Sequence, residues 1–118
     1  MTVEHFVLND LSGDVRWSSN GSDVVKHYVH PVQAVPLRSG QGVLIVEPDN
    51  HPNNAVIYDA DGSQKRVIDN PLAAKGALCF TACGYERDEL TLIIRLPGLE
   101  FAYVIDEAGN NVRLQEIR

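Results

Sequence analysis

A β-hairpin motif recurs along this 118-residue sequence and constrains its fold more than any other feature. In the central copy, a run of strand-forming residues precedes the turn Asp59-Ala60-Asp61-Gly62, and residues 64–68 continue as a second strand. Aspartate bonds readily to nearby backbone N–H groups, and glycine adopts positive φ without steric cost. The pattern therefore predicts an antiparallel hairpin over residues 55–68.

Two further copies of the hairpin lie towards the two ends of the sequence. The C-terminal copy places Asp106 and Gly109 where the central copy has Asp59 and Gly62, and an arginine follows each glycine by four residues. A looser copy covers residues 5–17. We expect Gly62 and Gly109 to adopt positive φ in equivalent turns, because that is the usual role of glycine in such motifs.

The remaining sequence also predicts strands. Residues 43–47 read VLIVE, a continuous apolar run typical of a strand covered on both faces, whereas residues 90–96 alternate like a half-buried strand. A single turn at residues 72–75 is the only helix candidate. We therefore expect one all-β domain over residues 1–118, with ten or eleven short strands in an antiparallel meander. A sandwich, an open twisted sheet and a partial propeller all fit this pattern.

The charge balance narrows the classes of partner. The formal net charge is −6. Such a charge disfavours binding to nucleic acids and to anionic membranes, and favours binding to a basic protein. No apolar stretch approaches the length of about 20 residues that spans a membrane, and the first residues lack the features of a secretory signal. We expect a cytoplasmic protein in which both cysteines are free thiols.

Motifs for metal or cofactor binding are incomplete. Residues 59–63 resemble the start of a calcium loop, but Asn70 stands where such a loop needs a bidentate glutamate. On a regular strand the Cα atoms of Cys79 and Cys83 would lie about 13 Å apart, which is too far for a disulfide or a shared metal ion. We therefore expect no metal and no cofactor, and interpret the cysteines as small buried apolar residues.

The polar loop at residues 48–54 offers an alternative function. It contains His51 beside Asp49 and several asparagines, and polar loops carry function more often than cores do. A small metal-assisted or acid/base enzyme using His51 is the hypothesis that follows, although no known catalytic motif accompanies the histidine.

The favoured hypothesis is a small, acidic protein-binding module, such as an inhibitor or immunity-type protein that covers a basic partner. Its binding surface is expected on one loop side of the meander, where loops from several strands meet. The candidate contacts are Asp49, His51, Asp59, Asp61, Asp106 and Glu107. Unpaired strand edges also allow a homodimer.

Overall fold

The computed structural model describes residues 2–9, 11–48 and 50–117. Within these ranges the secondary structure consists of strands and one 3-10 turn at Ala73–Lys75, so the all-β prediction is confirmed. The strands are β1 (Glu4–Asn9), β2 (Asp14–Ser19), β3 (Ser22–His27), β4 (Gln33–Pro36), β5 (Gly42–Val46), β6 (Ala55–Asp59), β7 (Gln64–Val67), β8 (Cys79–Glu86), β9 (Glu89–Leu96), β10 (Leu99–Ile105) and β11 (Asn111–Glu116).

The strands form three antiparallel sheets, and in each sheet the neighbours follow one another along the chain. The first sheet contains β1 to β3, the middle sheet β4 to β7, and the third sheet β8 to β11. This topology confirms the predicted meander, which short connections between successive strands favour. The middle sheet lies between the other two, because its buried side chains belong to one hydrophobic cluster with the first sheet and to another with the third sheet.

Hydrophobic side chains cover both faces of the middle sheet. Val43 and Ile45 pack with Val15 and Trp17 of the first sheet. Leu44 and Val46 lie on the opposite face and pack against the third sheet. Every residue of β5 is buried, as the apolar run in the sequence predicts.

The connections between strands collect at two ends of the stack, because antiparallel strands alternate in direction. The turn end holds the β2–β3, β4–β5, β6–β7, β8–β9 and β10–β11 turns. The loop end holds the β1–β2 turn and the connections around residues 28–32, 47–54, 68–78 and 97–98. The first sheet is oriented in the same way. Val3 N, just before β1, donates to Gly40 O in the β4–β5 turn over 2.7 Å, so β1 begins at the turn end.

Two of the three hairpin copies are structurally equivalent. Gly62 and Gly109 adopt φ of +91° and +89°, as predicted, and each donates its N–H to the carbonyl of the aspartate three residues earlier. The first copy differs, because its Gly13 lies at the loop end, where its backbone N donates to Asn9 O. Asp10 of that copy lies outside the described residues. The turn that occupies the equivalent place in the first sheet is Asn20-Gly21.

A buried asparagine joins the middle and third sheets at the loop end. Asn54 Oδ1 accepts from Phe80 N over 2.7 Å, and its Nδ2 donates to Phe80 O and to Glu47 O over 2.9 and 2.8 Å. The side chain therefore satisfies three backbone groups of two separate strand ends. These bonds fix where β8 begins relative to the loop at residues 47–54.

Replacing Gly109 with alanine should destabilise the fold by more than the same change at Gly76. Both glycines have φ near +90°, but a methyl group at Gly109 would approach Ile68 Cδ1 to 2.8 Å, whereas nothing lies within 4 Å of one at Gly76. We expect Gly76→Ala to cost about 1 kcal/mol and Gly109→Ala about 2–3 kcal/mol. Urea unfolding measures both, and equal losses would contradict the packing of this turn against the middle sheet.

Replacing Asn54 with alanine should cost about 2–3 kcal/mol of unfolding free energy, because three buried backbone groups lose their partner. Asn50 lies in the same connection and is exposed, so Asn50→Ala provides the control and should change stability by less than about 0.5 kcal/mol. Thermal unfolding of the two variants checks the difference, and similar melting temperatures would refute the bridging role of Asn54.

Candidate functional site

The structure divides the predicted binding residues between the two ends of the stack. Asp61, Asp106 and Glu107 belong to turns at the turn end, and Asp59 ends β6 beside them. His51 belongs to the β5–β6 connection at the loop end. The five residues of β6, an extended length of about 16 Å, separate the two groups. The expectation of one shared loop side is therefore wrong for His51, and Asp49 lies outside the described residues.

At the loop end, His51 is exposed and its Nδ1 accepts a hydrogen bond from Asn53 N over 3.2 Å. The nearby Glu47 has a structural contact, because Tyr28 and Tyr58 both donate their hydroxyls to its Oε2 over 2.7 Å. Burial and the Glu47 carboxylate raise the pKa of Tyr28, so that phenol stays protonated and donating. This contact ties the β3–β4 connection to the middle sheet.

The turn of the middle sheet presents Asp61 in a fixed conformation. Its Oδ1 accepts from Ser63 Oγ over 2.6 Å and from Ser63 N over 2.9 Å. These bonds hold the pKa of the exposed Asp61 carboxyl below its ordinary value, so it is ionised at neutral pH. Behind the turn, Lys26 Nζ donates to Gly62 O over 2.7 Å and anchors it to the first sheet.

The turn of the third sheet repeats this arrangement with different residues. Asp106 Oδ1 accepts from Asn110 N over 2.8 Å and from Ala108 N over 3.0 Å. These bonds lower the pKa of Asp106, and the bond from the Asn110 backbone has the largest effect. Arg66 Nη1 donates to Ala108 O over 3.1 Å and to Asn110 Oδ1 over 2.8 Å, so a base of the middle sheet anchors this turn.

Glu107 connects this turn to the β4–β5 turn. Its Oε2 accepts from Tyr85 Oη over 2.6 Å and from Ser39 N over 3.4 Å. Partial burial opposes ionisation of Glu107, but the bonds from Ser39 and Tyr85 outweigh it and lower the pKa of the carboxyl. The β4–β5 turn also reaches the middle hairpin, where Gln41 O accepts from Ala60 N over 3.1 Å.

A cationic side chain lies beside these acids, and sequence reasoning missed it. The Arg38 guanidinium is 4.3 Å from the centre of the Tyr85 ring and forms an ion pair with Asp88. Its backbone N donates to Tyr85 Oη over 2.9 Å. Arg38 and Tyr85 are 47 positions apart, and no local pattern in the sequence signals such a contact.

The turn end therefore carries carboxylates that are held by hydrogen bonds. We call Asp59, Asp61, Asp106 and Glu107 the acidic turn surface. The β4–β5 turn contacts both hairpins that carry them, so the four residues lie at one end on connected backbone. Carboxylates held in this way can bind lysine and arginine side chains of another molecule, and those of Asp61 and Asp106 are exposed.

The two cysteines differ from the regular-strand expectation because β8 contains a bulge between Phe80 and Ala82. Cys83 lies opposite Leu92 and packs against the core between the middle and third sheets, whereas Cys79 lies opposite Arg95. Burial raises the pKa of Cys83 to about 12, so the thiol is not a nucleophile at neutral pH. Both cysteines are half-buried, so the interpretation as small buried apolar residues holds only in part, and Cys83 fits it through its contact with the core.

Replacing Asp106 with asparagine tests the charge of the third-sheet turn, since the variant keeps an acceptor oxygen without the negative charge. A carboxyl whose pKa is lowered on folding from 3.8 stabilises the fold above that value, and the contribution is lost as pH falls through the folded pKa. The stability gap between wild type and Asp106→Asn should therefore be largest at neutral pH and shrink as pH falls below 3.8 and through the lowered folded pKa. Urea unfolding across pH measures it, and a constant gap would contradict the ionised turn.

Neither a family model, nor a curated protein, nor a solved structure matches this chain. Within the described ranges, no group of three or more histidine, cysteine, aspartate or glutamate side chains is arranged to hold a metal ion. No helix among the described residues is long and apolar enough to cross a membrane. The geometry and charge of the acidic turn surface thus provide the basis for inferring a function.

Proposed function

We propose that this chain is a small cytosolic protein-binding module whose acidic turn surface docks on a basic surface of another protein. The observation that carries the proposal is the alignment of two carboxylate-bearing turns at one end of the stack. The net charge of −6 supports the same kind of partner, because long-range attraction acts on the whole molecule. An inhibitor or immunity-type role, in which the module covers a basic enzyme, fits this surface.

The fixed conformation of the acidic side chains in these turns favours binding. Asp61 is held by two hydrogen bonds and Asp106 by three, all from the following residues of their own turns. Glu107 is held by Tyr85 and Ser39. Side chains that are already ordered lose less conformational entropy when a partner binds, which strengthens association without new contacts. The acidic turn surface is therefore preorganised for a basic side chain.

Electrostatic attraction of this kind acts mainly on the rate of association. Complementary charges steer the encounter of two proteins, and salt weakens the effect as the Debye length falls from about 10 Å at 0.1 M to about 3 Å at 1 M. The free thiols Cys79 and Cys83 fit a reducing compartment such as the cytosol. The proposed partner is thus a basic cytosolic protein met at low to moderate ionic strength.

A triple variant, Asp61→Asn, Asp106→Asn and Glu107→Gln, should slow association with the partner by about tenfold at low salt. The partner is first captured from native lysate on the immobilised chain, and its association rate constant is then measured across salt concentrations. The difference between variant and wild type should disappear near 1 M salt, where charges more than about 3 Å apart are screened.

The matched control removes three charges from the loop end instead. Asp69→Asn, Glu100→Gln and Glu116→Gln change the net charge equally but leave the acidic turn surface intact. This control should keep an association rate close to that of wild type. Equal slowing by both triple variants would mean that only net charge matters, and would overturn the proposal that the turn end is the docking surface.

A further inference from the structure

Two of the contacts between neighbouring sheets follow the same pattern. A basic side chain on the last strand of one sheet donates to a carbonyl in the turn of the next sheet. Lys26 of the first sheet bonds to Gly62 O over 2.7 Å, and Arg66 of the middle sheet bonds to Ala108 O over 3.1 Å. The turn glycine packs against the preceding sheet in both cases, since a Cβ at Gly62 would lie 2.7 Å from Val24 Cγ1 and one at Gly109 would lie 2.8 Å from Ile68 Cδ1.

The outer face of the third sheet resembles one face of the middle sheet, namely the face that packs against the third sheet. In the middle sheet, Ile57 lies opposite Arg66, and a register shift follows at the next residue. In the third sheet, Val104 lies opposite Arg113, and the same shift follows. Arg113 therefore occupies the position from which Arg66 reaches the turn of a following sheet.

This outer face has the shape and composition of an interface. A groove of about 260 Å³ runs along it, and the described residues that line it belong to the third sheet or directly adjoin its strands. Its centre is formed by Ile93, Ala102 and Val104, while Arg113 Nη1 donates to Glu89 Oε2 over 2.9 Å at the turn end of the groove. The groove thus joins an apolar centre with a positioned guanidinium.

The outer face of the first sheet also has a groove, which could pack against the outer face of a third sheet. The described residues that line this groove of about 320 Å³ belong to the first sheet, and among them Val7 and Val25 are 56% and 49% exposed. The Asn20-Gly21 turn is the equivalent of the turns that bind Lys26 and Arg66 in the other two sheets. Unlike the glycines of those turns, Gly21 is not packed against a preceding sheet, since a Cβ there would have no described atom within 4 Å. Asp23 lies two residues beyond that turn and lines the same groove. Its carboxylate is therefore close to the place where a basic side chain of a neighbouring sheet would bind.

We propose that two copies of this chain close head to tail into a six-sheet ring. In this ring the outer face of the third sheet of each copy packs on the outer face of the first sheet of the other, and Arg113 reaches the Asn20-Gly21 turn and Asp23. The contact continues the pattern of both internal interfaces. Ring closure with a two-fold axis satisfies both open faces of both copies, and six sheets lie within the usual range of propeller sizes. Both turn ends lie on the same side of the ring.

Light scattering coupled to size exclusion tests the ring with single charged substitutions on each face. The wild-type chain should have twice the 13.0 kDa mass of one copy. Val25→Asp on the first sheet and Ile93→Asp on the third should each yield monomers at the same concentration, because a carboxylate would replace an apolar side chain in either contact and would be desolvated there. Val67→Asp, at a valine 39% exposed on the middle sheet, is the matched control and should remain dimeric.

Fluorescence of the buried Trp17 shows whether each variant is folded. If Ile93→Asp unfolds, Arg113→Glu replaces it, since this side chain is exposed and its reversal places two acids in contact across the ring. A monomeric wild type would overturn the proposal. Dissociation by the third-sheet variants alone would also overturn it, because that result means that the third-sheet faces of two copies pair with each other.

Discussion

The burial of both faces of one sheet is the constraint on which the rest of this structure depends. Every side chain of β5 is buried, and successive residues face opposite neighbours, so Ile45 packs towards the first sheet and Leu44 towards the third. A sheet with two apolar faces is stable in water only when both are covered. The stack of three sheets is the arrangement that meets this requirement, and it leaves the outer faces of the first and third sheets as the two places for further contact.

Hydrogen bonds between sheets determine how the turn end is built. The bases Lys26 and Arg66 each anchor the turn of the following sheet through a carbonyl oxygen. Hydrophobic contacts are not directional and would allow neighbouring sheets to slide, whereas these bonds fix one turn relative to the next. The alignment of the acidic turn surface is therefore a consequence of how the layers are joined.

The composition of the candidate site could be predicted from sequence, but its assembly could not. Asp61 and Asp106 were identifiable because turn-forming aspartates have a local signature. Their separation from His51 depends on the direction of β6, which places the two connections of that strand at opposite ends. Arg38 joins the surface through a contact with Tyr85, 47 positions away. Contacts over such distances arise from packing between layers and leave no pattern in a short stretch of sequence.

The sequence by itself determined the strands, most of the turns and the buried nature of residues 43–46, because strand propensity, side-chain alternation and glycine at positive φ are local properties. It also suggested three equivalent hairpins, of which only two share a place in the stack. Tertiary structure alone decided the number of layers, the faces left uncovered and the side on which each loop lies. The physical reason is that hydrophobic burial specifies how much surface must be covered, whereas the covering partner is chosen by shape and by hydrogen bonds between distant residues.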